Sequence, residues 1–129
     1  MRAREIMSKN PVTIKPEATL REAAEQMSKH NVGALPVYDG KSLRGIVTDR
    51  DLTIRGIARG TTFDAKISTV MTEKCVTCSE DEDLNEAVNL MEKNAVRRLV
   101  VMSTKEKEKP IGIFSLDDIG RKSHDANSF

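Results

Sequence analysis

Aromatic residues are nearly missing: the 129 residues hold one tyrosine, three phenylalanines and no tryptophan. That leaves no platform on which the bases of single-stranded nucleic acid could stack. An excess of charge is missing too, because 21 basic residues face 20 acidic ones, so no electrostatic case for nucleic acid or an anionic membrane arises. No apolar run approaches the roughly 20 residues of a membrane span, and the charged Met1 to Met7 stretch lacks the apolar core of a signal peptide. A cytosolic protein is the expectation. Cysteine is limited to Cys75 and Cys78, one C-x-x-C that could be half a zinc site or a redox pair. It supplies only two of the four ligands of structural zinc, and His30 and His124 lie far away in sequence.

What the chain does have is itself, twice. Shifting it by 64 residues lays Met7 on Met71, Val12 on Val76, Thr13 on Thr77, Leu20 on Leu84, Ala23 on Ala87, Met27 on Met91, Leu35 on Leu99 and Val37 on Val101. A duplicated unit follows. After a three-residue insertion the match resumes, with Gly45-Ile46 on Gly112-Ile113, Thr48 on Ser115 and Asp51 on Asp118. Each copy therefore keeps a hydrophobic frame and one polar signature, Gly-x-x-Thr/Ser-x-x-Asp. In the same register Cys75 falls on Pro11 and Cys78 on Ile14, a turn residue and an apolar strand residue. No metal site is expected there.

The repeats are expected over residues 1–66 and 67–129, each too short to bury a comfortable core alone. In each, a short extended piece (Val12 to Ile14; Val76 to Cys78) precedes an amphipathic helix. Thr19 and Glu22 read as a capping box, with Asp83 and Glu86 in the matching places. Leu20, Ala23, Ala24 and Met27 share one helical face, repeated by Leu84, Ala87, Val88 and Met91. Two strand runs follow, joined by Asp39-Gly40 in the first copy and by the charged Thr104 to Lys109 turn in the second. A second helix starts near Thr48-Asp49 or Ser115-Leu116, and in the first copy Ile54, Ile57 and Ala58 are expected to continue its apolar face.

The signature can be read in two ways. A hydroxyl and free helix amides can reach a phosphate, while a carboxylate one turn on can accept from vicinal hydroxyls. Equally, Thr48 and Ser115 can be plain helix caps, with Asp51 and Asp118 favouring the helix dipole.

From Ile6 to about Lys122 the sequence resembles a tandem pair of CBS domains, the Bateman module. The motifs are Ile6-Met7-Ser8 and Val70-Met71-Thr72, Val32 to Val37 and Val96 to Val101, and Gly45 to Leu52 and Gly112 to Ile119. The resemblance implies an α+β fold of two β-α-β-β-α repeats packed pseudo-symmetrically through their sheets, with two clefts between the copies. It implies an adenosyl ligand with its ribose on Asp51 or Asp118 and its phosphates near Thr48 or Ser115 and basic side chains such as Arg50. The base lies against Thr13 and Ile14 or Thr77 and Cys78, and against Ala34, Pro36 and Val37 or Arg98, Leu99 and Val100. Gly33-Ala34 of the first copy becomes Arg97-Arg98 in the second. If that pair faces a shared cavity it is costly without anions, and Arg98 aligns with a phosphate-reading position of related modules.

Function is then expected to be that of a non-enzymatic regulatory module sensing adenine nucleotides. AMP, ADP or ATP is the expected regulatory ligand, ahead of S-adenosylmethionine or NAD. A homodimer and a separate effector protein are the expected partners, with no membrane and no nucleic acid. The alternative is a ligand-free CBS module that mediates dimerisation or partner binding. An enzyme finds little support, because no His, Cys or Lys stands in the repeated signature to complete a catalytic set.

Overall fold

The computed structural model describes residues 1–106 and 108–116. Helices and strands both contribute, as an α+β fold requires. The described chain forms two compact units whose boundaries are not those of the repeats. One unit is continuous, Val12–Cys75. The other is discontinuous and joins Met1–Pro11 to the described residues from Val76 on.

In the continuous unit, helix α2 (Leu20–His30) packs Leu20, Ala23 and Met27 onto the strand pair β2 (Ala34–Tyr38) and β3 (Leu43–Thr48). The capping box forms as expected: Thr19 Oγ1 accepts from the Glu22 amide at 3.1 Å, and Glu22 Oε1 accepts from the Thr19 amide at 3.3 Å. β2 and β3 run antiparallel, with Ala34 opposite Thr48 and Val37 opposite Gly45. Ile14 lies parallel to β2 beside Val37.

The discontinuous unit repeats this plan. Helix α3 (Leu84–Asn94) buries Ala87 and Met91, and β4 (Thr77–Ser79), β5 (Arg98–Met102) and β6 (Pro110–Ser115) share a sheet with β1 (Ser8–Lys9) in the order β1-β6-β5-β4. Here Asp83 caps the Asn85 amide at 3.1 Å. The reciprocal box expected with Glu86 is replaced by this single bond, because the carboxylate takes the second free amide of the helix instead of the third.

What the repeat register does not convey is the source of the segment that completes each sheet. Thr72, from the start of the second copy, exchanges two 2.9 Å backbone hydrogen bonds with Ile46 of the first. Ser8 and Lys9, from the start of the first copy, pair with Ile113 and Gly112 of the second. The same exchange holds the helix starts. The Leu20 amide donates to the Ala65 carbonyl and Ile67 to Ala18; with every number moved by one repeat, Leu84 donates to Met1 and Ala3 to Glu82. Ile67, Val70 and Met71 fill the core around Leu35 and Val47, while Ala3 and Ile6, of the short helix α1 (Ala3–Ile6), fill that around Leu99 and Phe114. Full burial of each large aliphatic chain contributes roughly 1.5 to 3 kcal/mol, so neither core is complete without these segments.

The second helix of the first copy is not an ordinary α-helix. Asp51–Gly56 forms a π-helical turn, followed by a 3-10 turn over Ile57–Arg59. Its buried residues are Asp51, Leu52 and Gly56, and the five-residue step from 51 to 56 is that of the wider helix. This corrects the expected face of Ile54, Ile57 and Ala58, all three of which are exposed. Gly56 faces α2, where a Cβ would come within 2.8 Å of Leu20 Cδ2. In the second copy Leu116 is helical, and the residues after it, Asp118 among them, lie outside the described residues.

Two substitutions probe this frame. A Cβ on Gly45 would collide with the Thr72 carbonyl, which is backbone and fixed by its bond to Ile46, whereas one on Gly112 would first meet the flexible Met7 side chain. Gly45→Ala should lower stability by about 2 to 4 kcal/mol, and Gly112→Ala by clearly less, read from urea midpoints. Ala95 ends α3 in the left-handed region at φ 54°, where the sister helix ends on Asn31. Ala95→Gly should raise stability by about 0.5 to 1 kcal/mol, visible as a higher melting temperature.

Candidate functional site

β3 ends at Thr48, and the π-helical turn begins three residues later at Asp51. Between them the chain closes a reciprocal cap. Thr48 donates its amide to Asp51 Oδ2 at 3.0 Å, and Asp51 donates its amide to Thr48 Oγ1 at 3.1 Å. Asp51 is the one buried charged residue among the described residues, 8% exposed, and its other oxygen, Oδ1, lies 3.9 Å from Arg55 Nε. The capping role of the signature is therefore real in this copy. It does not exhaust the chemistry. An ionised carboxylate has about four acceptor positions, and a hydroxyl that accepts can still donate. The pair can accept from ligand hydroxyls through Asp51 and donate to an anion through Thr48.

Register brings other sequence-identified residues alongside. Ala34 stands directly opposite Thr48 across the ladder, and the Ile14 amide donates to the Pro36 carbonyl at 3.0 Å, with Val37 beside it. Ala34, Pro36, Val37 and Ile14 are all buried, whereas Thr13 and Arg50 are exposed. Thr13 and Ile14 also border an open groove of about 630 Å³ with Lys15, Glu17, Glu25 and Gln26, but neither the β2 residues nor Thr48 or Asp51 line it.

The discontinuous unit carries the matching set. Thr77 pairs with Val100 and Cys78 with Val101 on parallel β4 and β5, and Arg98 lies opposite Ser115 across β5 and β6. Leu99, Val100 and Cys78 are buried, and Thr77 is exposed. Arg97 and Arg98 are also exposed, so the expected desolvation cost of an arginine pair does not arise and guanidinium burial gives no argument for an anion. Backbone ties hold the start of this strand: the Leu116 amide donates to the Arg97 carbonyl at 3.2 Å.

The cysteines occupy the places of their sister residues. Cys78 is a buried strand residue in the apolar core, as Ile14 is in the other unit. Burial, with a smaller contribution from the charge of Glu82, pushes its thiol up to about 11, and burial also raises Cys75. Such thiols are poor nucleophiles and poor metal ligands at neutral pH. Among the described residues no three His, Cys, Asp or Glu side chains gather as a metal site, and no helix is long and apolar enough to cross a membrane.

Two copies of one α+β unit, each with a hydroxyl at the end of its last strand and exchanging leading segments, define a tandem-repeat module. The CBS domain family matches residues 3–55 and 67–125; the chain belongs to that family. Among its relatives are the CBS domain-containing protein YhcV of Bacillus subtilis, 34% identical over 90% of this chain and 81% of its own length. The uncharacterized protein YlbB of the same organism is 48% identical over 76% of this chain and 66% of its own length. An inosine-5'-monophosphate dehydrogenase of Chlorobaculum parvum is 32% identical over 88% of this chain, but only 23% of that enzyme is covered. The CBS domain pair of protein MJ0100, in complex with 5-methylthioadenosine and S-adenosyl-L-methionine, has the same fold with a TM-score of 0.86, 27% identity and 98% coverage of both chains. Hypoxic Response Protein I with two coordinated zinc ions gives 0.80 at 31% identity, with 95% of this chain and 98% of that one covered.

The raised thiol has a pH signature. Its folded-state value lies above the ordinary 9.0, so its contribution to stability is complete below pH 9 and is lost as pH rises through 11. Urea titrations between pH 8 and 11 should show this loss in the parent and a shallower one in Cys78→Val. Cys78 should also resist alkylation at pH 7.5 until the protein unfolds.

Proposed function

We propose that this chain is a non-enzymatic regulatory module whose ligand carries an adenosyl group. The observation that carries the reading is the Thr48–Asp51 pair. The carboxylate of Asp51, a residue only 8% exposed, is held by the Thr48 amide at a strand end, which leaves its other oxygen to accept from the two ribose hydroxyls and the Thr48 hydroxyl beside it for a phosphate or other acceptor. Ile14, Ala34, Pro36 and Val37, all buried, are assigned the apolar wall behind a base, with Thr13 and Arg50 at the exposed margin.

Thr77, Cys78, Leu99, Val100 and Ser115 are assigned the corresponding roles in the second copy, with Asp118, outside the described residues, as its ribose acceptor. Arg98, exposed at the start of β5, is assigned to reading phosphate, with Arg97 next to it. MJ0100, similar over its whole CBS pair, is described with two adenosyl compounds, which supports the adenosyl class. AMP, ADP or ATP remains our preferred ligand because of the two arginines, with S-adenosylmethionine, methylthioadenosine and NAD behind. Output passes to a separate effector by population shift, limited by the ligand's differential affinity for the two states. The module works as a homodimer in the cytoplasm.

The second reading, a ligand-free interaction module, draws on the same pair, since Thr48 and Asp51 already satisfy each other's amides. Thermal unfolding with adenosine, AMP, ATP, S-adenosylmethionine, methylthioadenosine and GTP separates the two. At 100 times its dissociation constant a ligand adds about 2.7 kcal/mol. We expect adenosyl compounds to raise the melting temperature and GTP not to; no shift with any of them leaves the interaction module.

Calorimetry then assigns the residues. Asp51→Asn keeps an acceptor for the Thr48 amide and should leave the fold intact, while weakening every adenosyl ligand of that site about tenfold or more, the worth of a charge-assisted hydrogen bond. Arg98→Ala should flatten the gain in affinity from adenosine through AMP to ATP while leaving adenosine itself unchanged.

A further inference from the structure

The open groove of about 630 Å³ in the continuous unit runs between the loop from Thr13 to Ala18 and one face of α2, formed by Glu22, Glu25 and Gln26. Its charge is unbalanced. Glu17, Glu22 and Glu25 border it, against a single cation, Lys15. Glu22 Oε1 is engaged in the capping box, and Glu25 lies 3.9 Å from Arg21, both side chains about two-thirds exposed. Glu17 is exposed and, among the described residues, has no hydrogen-bonded or ionic partner. An exposed acid of this kind is ordinary by itself, but the sister unit shows what the position holds.

Moved by one repeat, Glu17 becomes Asp81 and Ser68 becomes Arg4. Backbone pairing fixes the correspondence: Ile67 donates to Ala18 as Ala3 donates to Glu82, and Thr19 bridges Lys66 as Asp83 bridges Arg2. In the discontinuous unit the Arg4 guanidinium pairs with the Asp81 carboxylate, and Arg2 Nη1 donates to the Asp81 carbonyl at 2.7 Å. Two arginines of the leading segment thus meet the acidic loop. In the continuous unit the leading segment has Ser68 in the place of Arg4, so Glu17 stands without its arginine. Lys66, in the place of Arg2, is exposed and forms no ion pair among the described residues.

We propose that this groove docks a basic, arginine-bearing segment of a partner protein, one guanidinium taking against Glu17 the place that Arg4 takes against Asp81, with Glu22 and Glu25 facing the rest of its charge. Three carboxylates attract a basic partner and repel an acidic one. A guanidinium suits the site better than an ammonium, because its planar fork meets a carboxylate with two hydrogen bonds. Its stem can lie along Ala18, which is half-buried. A divalent metal does not fit, since among the described residues no three acidic, His or Cys side chains gather to hold one. The proposal rests on the reading of a separate effector and gives that effector a surface that meets the assigned base wall only at Thr13 and Ile14.

Fluorescence anisotropy of a labelled pentapeptide of alternating alanine and arginine, titrated with the full chain, tests it. We expect saturable binding that weakens with salt. Glu17→Lys combined with Glu25→Lys should weaken it about tenfold or more, because like charges then face the peptide. Glu73→Lys, at an exposed carboxylate outside the groove, should change it by less than about twofold. Ser68→Arg restores to the first copy the arginine of the second, which then competes for Glu17. It should weaken the peptide about two- to fivefold, the worth of one exposed ion pair. All four positions are exposed, so circular dichroism of the variants should match the parent.

A parent that binds no peptide up to about 1 mM overturns the proposal. So does binding indifferent to the Glu17 and Glu25 reversals, or lost equally with Glu73→Lys, which would reduce it to general charge attraction. Melting with AMP, measured on the same proteins, keeps the two readings apart. Peptide binding without an AMP shift retains the groove and removes the adenosyl ligand, whereas an AMP shift without peptide binding does the reverse.

Discussion

Neither sheet can be finished by its own repeat. β3 needs Thr72 along its free edge, and β6 needs Ser8 and Lys9. An unpaired edge leaves a row of backbone donors and acceptors to be satisfied elsewhere, and here each is satisfied by the leading segment of the other copy. The two signature glycines follow from that constraint. At Gly45 and Gly112 a side chain would stand where Thr72 and Met7 pass. Gly in the Gly-x-x-Thr/Ser-x-x-Asp pattern thus belongs to sheet assembly, although it sits beside residues that carry the candidate chemistry.

In the function we propose, the Thr48–Asp51 pair serves folding and recognition with the same atoms. Capping fixes the carboxylate in place, which is what a preorganised acceptor needs, because no side-chain freedom then remains to be lost on binding. The same economy explains why the two copies can diverge around a common frame. Gly33-Ala34 and Arg97-Arg98 occupy one register position and leave backbone pairing unchanged, since Ala34 meets Thr48 just as Arg98 meets Ser115. Arg97 and Arg98 are exposed where the first copy has Gly33 and the buried Ala34, so the second copy changes its surface there without altering its backbone pairing.

Much of this was legible in the residues. The duplication, both amphipathic helices, the Thr19–Glu22 box and the paired strands follow from local pattern, because periodicity and capping depend on near neighbours. Cys78 as a core residue followed from its alignment with Ile14. The exchange of leading segments was not legible: Ile6-Met7 and Val70-Met71 match each other equally well whichever sheet they join. Nor was the π-helical turn. The run from Leu52 to Ala58 suits an ordinary amphipathic helix, and only tertiary packing of Gly56 against Leu20 selects the wider step that turns Ile54 and Ile57 outward. In the candidate site, adjacency of Ile14 to Val37 and of Ala34 to Thr48 came from sheet register, which sequence spacing does not encode.

The nesting of one unit within the other sets an order of events during synthesis. Val12–Cys75 is an uninterrupted stretch, and its strand pair and core cluster are complete in sequence once Cys75 has left the ribosome. Residues 1–11 emerge before it yet must wait longer, because the strand that Lys9 joins includes Gly112 and is made about a hundred residues later. Until then Ala3 and Ile6 have no core to enter. Contacts so distant along the chain are costly to close and form late, so the nascent protein passes through a stage with one half folded and a leading segment that bears Ala3 and Ile6 unclaimed, a period in which chaperone capture competes with completion of the second sheet.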